Sequence, residues 1–170
     1  MTNSTDDTAN QTDRESGHQG PVLCAVDFSG DSRVAVKWAN RMATSLETYL
    51  LVLHVIHDPL DAHGYYKQSE GEHLRPMEDV ADTMMREFVM DELGIDPVDN
   101  KSGHVRTKLI VGVPVPRILE IAEKVDAQII VMGSQGRTGL KHLMLGSKAE
   151  QVVRLAPIPV TIVKEPKQTD

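Results

Sequence analysis

Residues 128–147, with the sequence QIIVMGSQGRTGLKHLMLGS, decide the fold class of this chain. The segment opens with an apolar run at 128–132 that has the length and composition of a buried strand. Glycines follow at positions 133, 136 and 146, and the residues after Ser147 have a helical pattern. Glycines let backbone N–H groups converge on a ligand, and the start of a helix attracts anions. The segment therefore predicts a strand, a glycine-rich loop and a helix arranged around an anion, of which phosphate is the commonest.

Strand and helix patterns alternate through the rest of the chain. Runs rich in apolar residues predict five strands, at residues 22–26, 49–56, 105–111, 128–132 and 160–163. Apolar residues at helical spacing predict four helices, with the stripes Val34, Trp38, Met42 and Leu46; Val80, Met84 and Phe88; Ile118, Leu119, Ala122 and Val125; and Ala149, Val152, Val153 and Ala156. Strands that are apolar throughout are typical of a parallel sheet buried on both faces. With right-handed crossovers, the expected fold is a doubly wound α/β sandwich with helices on both faces of a five-stranded sheet.

Composition limits the number of domains and the classes of function. The chain has 170 residues, a net charge of −7 and a single cysteine, Cys24. This length predicts one domain, the acidic charge disfavours nucleic acid as a partner, and a lone cysteine excludes an internal disulfide. Residues 1–20 are expected to form a disordered N-terminal tail, 21–164 a single domain and 165–170 a C-terminal tail. The chain lacks a bilayer-length apolar run and a secretory leader pattern, so we expect no membrane contact and a cytoplasmic location.

Two other patterns have chemical interpretations of their own. A metal site formed by His54, His57, His63 and His73 is not expected, because their spacing matches no compact zinc pattern. Residues 29–32 (SGDS) weakly resemble the pyrophosphate loop of ATP pyrophosphatases, which adenylate a substrate, but the usual second glycine is missing. Neither a GxxxxGK[ST] loop nor a GxGxxG turn occurs, which disfavours motor-type NTPases and NAD enzymes.

The glycine spacing resembles the nucleotide-binding signature of the universal stress protein family: Gly133-x2-Gly136, nine residues, then Gly146-Ser147. Residues 26–29 (VDFS), 53–56 (LHVI) and 159–163 (PVTIV) are similar to the family's first, second and last strands. The resemblance covers residues 21–164. It implies a five-stranded sheet in the order 3-2-1-4-5, a bound ATP, and a homodimer formed through the last strand at 159–164.

The resemblance also implies the site residues. From the base to the phosphates they are Val26, Asp27, Val55, Met132, Gly133, Gly136, Arg137, Gly146, Ser147 and Lys148. In a sheet of this order ligands bind beyond the carboxyl ends of strands 1 and 4, so Asp27 and Gly133 are expected to meet in space. Mg²⁺ or Mn²⁺ is expected on the phosphates, since few cations lie near the loop, and no protein metal ligands are predicted. Gln135 stands where similar proteins often carry histidine, so no imidazole role is expected there.

Each of these residues also has a purely structural interpretation. The loop glycines would serve a tight connection, Ser147 would cap a helix, and Asp27 would cap the first helix or accept from backbone amides. Because no general base is evident near the loop, we predict an ATP-binding regulatory protein with at most slow hydrolysis and no catalytic residues. The alternatives are a nucleotide-free dimeric interaction module of the same fold and an adenylating enzyme. The protein partner and the role of residues 57–75 are not predicted.

Overall fold

The computed structural model describes residues 20–56, 77–100, 103–136 and 145–165. Strands and helices alternate through them in the order β1 (Val22–Ala25), α1 (Gly30–Ser45), β2 (Leu50–Ile56), α2 (Met77–Leu93), β3 (Val105–Val111), α3 (Pro114–Lys124), β4 (Ile129–Gly133), α4 (Ser147–Leu155) and β5 (Val160–Val163). Every predicted strand agrees with an observed one to within one residue at each end. Residues 1–19, 57–76 and 166–170, which hold most of the predicted tails and the long connection, lie outside the described residues.

The strands form one parallel sheet in the order β3-β2-β1-β4-β5, which confirms the predicted topology. β1 lies at the centre and pairs with β2 on one side and β4 on the other, so that Val22 faces both Leu50 and Ile129. The chain moves outward from β1 to β3 and then crosses to β4. Connections on either side of this reversal leave the sheet in opposite directions, which opens a crevice beyond the carboxyl ends of β1 and β4.

Helices cover both faces of the sheet, as predicted. Val22 and Cys24 of β1 lie in a buried cluster with residues of α1 and α2. Leu23 and Ala25 lie in a second cluster with residues of α3 and α4, since successive strand residues point to opposite faces. Complete burial raises the pKa of the Cys24 thiol, so it stays protonated inside the first cluster.

The buried face of α1 differs from the predicted stripe. Its buried residues are Ser32, Ala35, Val36, Ala39 and Ala43. Trp38 and Met42 are only partly buried beside the cluster, and Leu46 is exposed. The prediction followed the largest apolar side chains, whereas a helix that packs closely on a sheet presents small residues there. On α2 the buried residues are Ala81, Met85, Phe88 and Val89, so Phe88 is buried as predicted, whereas Val80 and Met84 are only half-buried.

Burial on both faces holds for the three inner strands but not for the two edges. Most residues of β3 are exposed or half-buried, and all four residues of β5 are half-buried. On the edge strand β3, the guanidinium of Arg106 lies 3.9 Å from the ring centroid of Tyr49. Charged side chains on an edge strand disfavour its pairing with another chain. Within the described ranges, no helix combines the length and apolar character needed to cross a membrane.

Candidate functional site

Asp27 follows β1 and is held at the rim of the crevice by two serines. Its Oδ1 accepts hydrogen bonds from the hydroxyls of Ser29 at 2.6 Å and Ser32 at 2.7 Å. The Ser32 hydroxyl in turn accepts from the Asp27 backbone N–H at 3.1 Å, and Ser29 is also the N-cap of α1. Asp27 therefore has the backbone-anchoring role that its structural interpretation predicted. Its Oδ2 faces Gly136 across the crevice, since a Cβ built on Gly136 would lie 2.6 Å from that oxygen.

Phe28 turns the chain sharply after Asp27. Its φ of 62° lies in the left-handed region, which bulky residues rarely adopt. Its ring packs against His54 and Phe88, with ring centroids 4.4 and 5.4 Å away. His54 is buried and donates from Nδ1 to the Val26 carbonyl at 2.8 Å, because a carbonyl can only accept. These contacts hold the end of β1, and with it Asp27, in a defined position.

The loop glycines are needed for space and not for an unusual backbone conformation. Gly133, Gly136 and Gly146 are not among the described glycines with positive φ, which are Gly94, Gly103 and Gly112. A Cβ on Gly133 would lie 2.8 Å from the Cβ of Asp31 and 3.1 Å from the Ser32 nitrogen. A Cβ on Gly146 would lie 3.2 Å from the Ser134 carbonyl oxygen. The end of β4, the start of α1 and the start of α4 thus approach one another too closely for side chains.

The start of α4 completes the crevice, and it corrects the prediction for Ser147. Gly146 is the N-cap, Ser147 is the first helical residue, and no described side chain caps this helix. The first N–H groups of a helix have no intrahelical acceptor, so a ligand at the start of α4 can accept hydrogen bonds from them. Ser147 and Lys148 are exposed, and they bring a hydroxyl and a cation to the same place.

The crevice is a cleft with a volume of about 190 Å³. All the predicted site residues line it except Arg137, which lies outside the described residues. Nine further residues that were not predicted as site residues also line it: Ala25, Ser32, Leu53, His54, Pro114, Ile118, Ser134, Gln135 and Ala149. Ala25 could have been found from the strand register, because it ends β1 and pairs with Met132 near the end of β4.

Among the described residues, no group of three or more His, Cys, Asp or Glu side chains is placed to hold a metal ion. His57, His63 and His73 lie outside those residues, so the expectation that they bind no metal stays a prediction.

Sequence comparisons relate the chain to one family. The model of the universal stress protein family matches residues 20–164. Universal stress protein MJ0577 of Methanocaldococcus jannaschii is 30% identical over 157 residues, which cover 84% of this chain and 93% of the relative. Universal stress protein MJ0531 of the same organism is 48% identical over 64 residues, 38% of each protein. A Mycobacterium bovis universal stress protein is 27% identical over 154 residues, which cover 85% of this chain and 48% of the relative. The chain thus spans less than half the length of two of these relatives.

Structural comparisons find the same fold. The universal stress protein UspA from Lactobacillus plantarum superposes with a TM-score of 0.62 at 20% identity, covering 86% of this chain and 99% of that one. A universal stress protein from Archaeoglobus fulgidus in complex with dAMP has a TM-score of 0.56 at 23% identity, covering 85% and 98%. A universal stress protein in complex with cAMP has a TM-score of 0.55 at 21% identity, covering 85% and 95%.

Proposed function

This chain belongs to the universal stress protein family, and on that premise we propose that it binds an adenine nucleotide, ATP foremost, in the cleft beyond β1 and β4. The observation that carries the proposal is the composition of that cleft. Apolar side chains and a group of hydrogen-bond donors line the same cavity, which is the combination that a nucleotide requires.

The apolar part suits the base. It is lined by Leu53 and Val55 of β2, Met132 of β4 and Ile118 of α3. A planar aromatic ring gains free energy when apolar side chains exclude water from its faces. The fixed carboxylate of Asp27 lies beside this wall as an acceptor for a ribose hydroxyl or an amino group.

The polar part suits the phosphates. Gly136, Ser147 and Lys148 line the cleft, and the nine-residue helix α4 directs its first N–H groups toward it. Oriented amides, a helix N-terminus and a cation together stabilise an anion. Because no metal-binding cluster lies among the described residues, a divalent ion such as Mg²⁺ or Mn²⁺ would be held mainly by the phosphates themselves.

Two solved relatives of the same fold are complexes with dAMP and with cAMP, which supports an adenine nucleotide as the ligand class. We infer that the chain acts as a cytoplasmic, nucleotide-dependent regulatory protein in the stress response. We further propose a homodimer formed through residues 159–164, since β5 is half-buried and is an edge strand of the sheet within the described residues.

An adenylating activity is disfavoured by the hydrogen bonds of residues 29–32. The hydroxyls of Ser29 and Ser32 donate to Asp27, and the Asp31 carboxylate faces the end of β4. A pyrophosphate loop needs its donors directed at the phosphates, whereas these donors are used inside the protein.

The proposal is tested by denaturing the purified protein, identifying any released nucleotide by chromatography, and titrating ATP with Mg²⁺ into the stripped protein by calorimetry. ATP at a hundred times its Kd should stabilise the native state by about 2.7 kcal/mol, which raises Tm by roughly 5–10 °C. Lys148→Gln should weaken ATP binding about threefold to tenfold by removing a cation from the phosphates. Lys124→Gln, the same change at the far end of α3, should leave the affinity unchanged.

The outcome separates the proposal from the nucleotide-free interaction module. A protein of that kind would release no nucleotide and would show no thermal shift with ATP. If the two lysine substitutions weakened ATP binding equally, the phosphates would not lie at the start of α4.

A further inference from the structure

We propose that Asp31 is the positioning residue of the nucleotide-binding loop. Its carboxylate holds the backbone that leaves β4 and the backbone that leaves β5 in one arrangement, and so sets the separation of the two ends of the glycine loop. The inference rests on the proposed function, because the loop has a ligand to bind only if that function is correct.

Asp31 lies in the first turn of α1, where the helix dipole favours a negative charge. It does not cap the helix, because Ser29 is the N-cap. Its carboxylate instead reaches out of the helix toward the end of β4. The missing side chain of Gly133 permits this approach, since a Cβ there would lie 2.8 Å from the Asp31 Cβ.

The two carboxylate oxygens bind two different segments. Oδ2 accepts from the Ser134 hydroxyl at 2.6 Å and from the Gln135 backbone N–H at 2.8 Å. Oδ1 accepts from the Glu165 backbone N–H at 3.0 Å, just after β5. Hydrogen bonds to an ionised acceptor are about twice as strong as neutral ones, so one side chain fixes both segments.

Ser134 links Asp31 to the residue at the far end of the glycine loop. Its hydroxyl donates to Asp31, and its carbonyl accepts from the Gly146 backbone N–H at 2.8 Å. The residues that enter and leave the glycine loop are therefore joined to each other and to α1. Gly136 lies two residues after Ser134, and Ser147 directly follows Gly146. Asp31 thereby sets the distance between the parts of the cleft that would hold the phosphates, although it touches no ligand itself.

The adenosine part of the cleft is held mainly by other contacts, although the Ser29 hydroxyl also donates to the Gln135 carbonyl at 3.4 Å. Asp27 is held by Ser29 and Ser32, and the apolar wall belongs to the strand ends and α3. A positioning role therefore predicts that substitutions of Asp31 weaken the binding of ATP more than the binding of adenosine. Asp31→Asn and Asp31→Ala should weaken binding of ATP with Mg²⁺ by about tenfold or more, the equivalent of one charge-assisted hydrogen bond. Binding of adenosine, which has no phosphates, should change less than about twofold.

The experiment compares the affinities of both ligands by calorimetry for the wild type, Asp31→Asn, Asp31→Ala and a matched control. Asp79→Asn is that control, because Asp79 also lies in the first turn of a helix, α2, and does not line the cleft. Ser134→Ala is a second probe that changes one hydroxyl and keeps the carboxylate. It should reproduce part of the ATP-selective loss, and its combination with Asp31→Asn should be less than additive, since both remove the same bond.

The outcomes separate the inference from the proposed function. A Tm decrease with both affinities unchanged, or reduced by the same factor, would make Asp31 a structural residue only and overturn the inference. A wild-type protein that binds neither ATP nor adenosine would overturn the proposed function, and the inference with it. An ATP-selective loss in Asp31→Asn and Ser134→Ala, but not in Asp79→Asn, is the result that we expect.

Discussion

Replacing Gly133 with alanine should destabilise the protein even without a ligand. The added Cβ would lie 2.8 Å from the Asp31 Cβ, 3.0 Å from the Asp31 carbonyl carbon and 3.1 Å from the Ser32 nitrogen. Carbon atoms pack best at about 3.5–4.0 Å, and two of these three atoms are backbone of α1. A rotamer change cannot relieve the contact, so the helix must move away from the sheet.

The magnitude follows from two opposing effects. Overpacking a rigid site costs about 1–3 kcal/mol, whereas alanine restricts the unfolded chain and returns about 0.4–1 kcal/mol. The net loss is about 1–2 kcal/mol, and for a chain of this length each kcal/mol shifts Tm by about 2–4 °C. Gly133→Ala should therefore lower Tm by roughly 3–7 °C.

The assay is thermal unfolding of the ligand-free protein followed by circular dichroism, with Gly136→Ala as the matched control. Among the described residues, the atom nearest to an added Cβ at Gly136 is Asp27 Oδ2 at 2.6 Å, the end of a side chain and not backbone. The control should lose less than about 1 kcal/mol. A Gly133→Ala protein that melts with the wild type, or a control that loses as much, would refute the reasoning from close approach.

Three further predictions concern the ligand, the pH dependence and the cysteine. Gly136→Val should abolish ATP binding while the circular dichroism spectrum keeps its native form, because a branched side chain would fill the cleft; unchanged ATP affinity would exclude Gly136 from the site. Burial tends to raise the pKa of Glu92, but ion pairs with Lys37 at 2.7 Å and with Arg33 outweigh it and hold the pKa below its ordinary 4.5. Glu92→Gln should thus be about 1 kcal/mol less stable than the wild type at pH 7 in urea unfolding, and this difference should shrink as the pH falls below 4.5 and the wild-type carboxylate is protonated. Burial also raises the pKa of the Cys24 thiol, so the native protein at pH 8 should resist a thiol reagent that labels the urea-unfolded chain at once; fast native labelling would contradict this.

The five strands and the helices between them could be predicted because they depend on local patterns, whereas the strand order was implied by the resemblance of the glycine spacing to that of a known family. Five apolar runs separated by helical stripes are readable along the sequence, and glycines are required where backbones approach closely. The same patterns predicted that Asp27 and Gly133 lie close together, since a parallel sheet places the carboxyl ends of its strands at one edge. Both residues line the cleft. Their binding roles stay predictions.

The features that the sequence did not reveal depend on contacts between distant segments. Asp31 and Ser134 are separated by 103 residues, and nothing local distinguishes this aspartate from a helix cap. The cap of α4 was assigned to Ser147 because hydroxyls favour that position, but the close approach of Ser134 places Gly146 there instead. The small-residue face of α1 was missed for a related reason, since only the distance to the sheet makes alanines preferable to Trp38.

The central position of β1 has a consequence for the order of assembly. β1 emerges early in synthesis but needs β4 as its second neighbour, and every strand pair here is parallel and therefore non-local. Non-local pairing slows folding, because a long loop must close, at a cost in conformational entropy, before the strands that it joins form stabilising contacts. Asp27 would lie on an incomplete sheet until Gly133 and Ser147 have emerged from the ribosome. Nucleotide capture by this cleft would then report that the chain has been made and folded as far as α4, and a ribosome-stalled chain that ends before α4 should not capture the nucleotide.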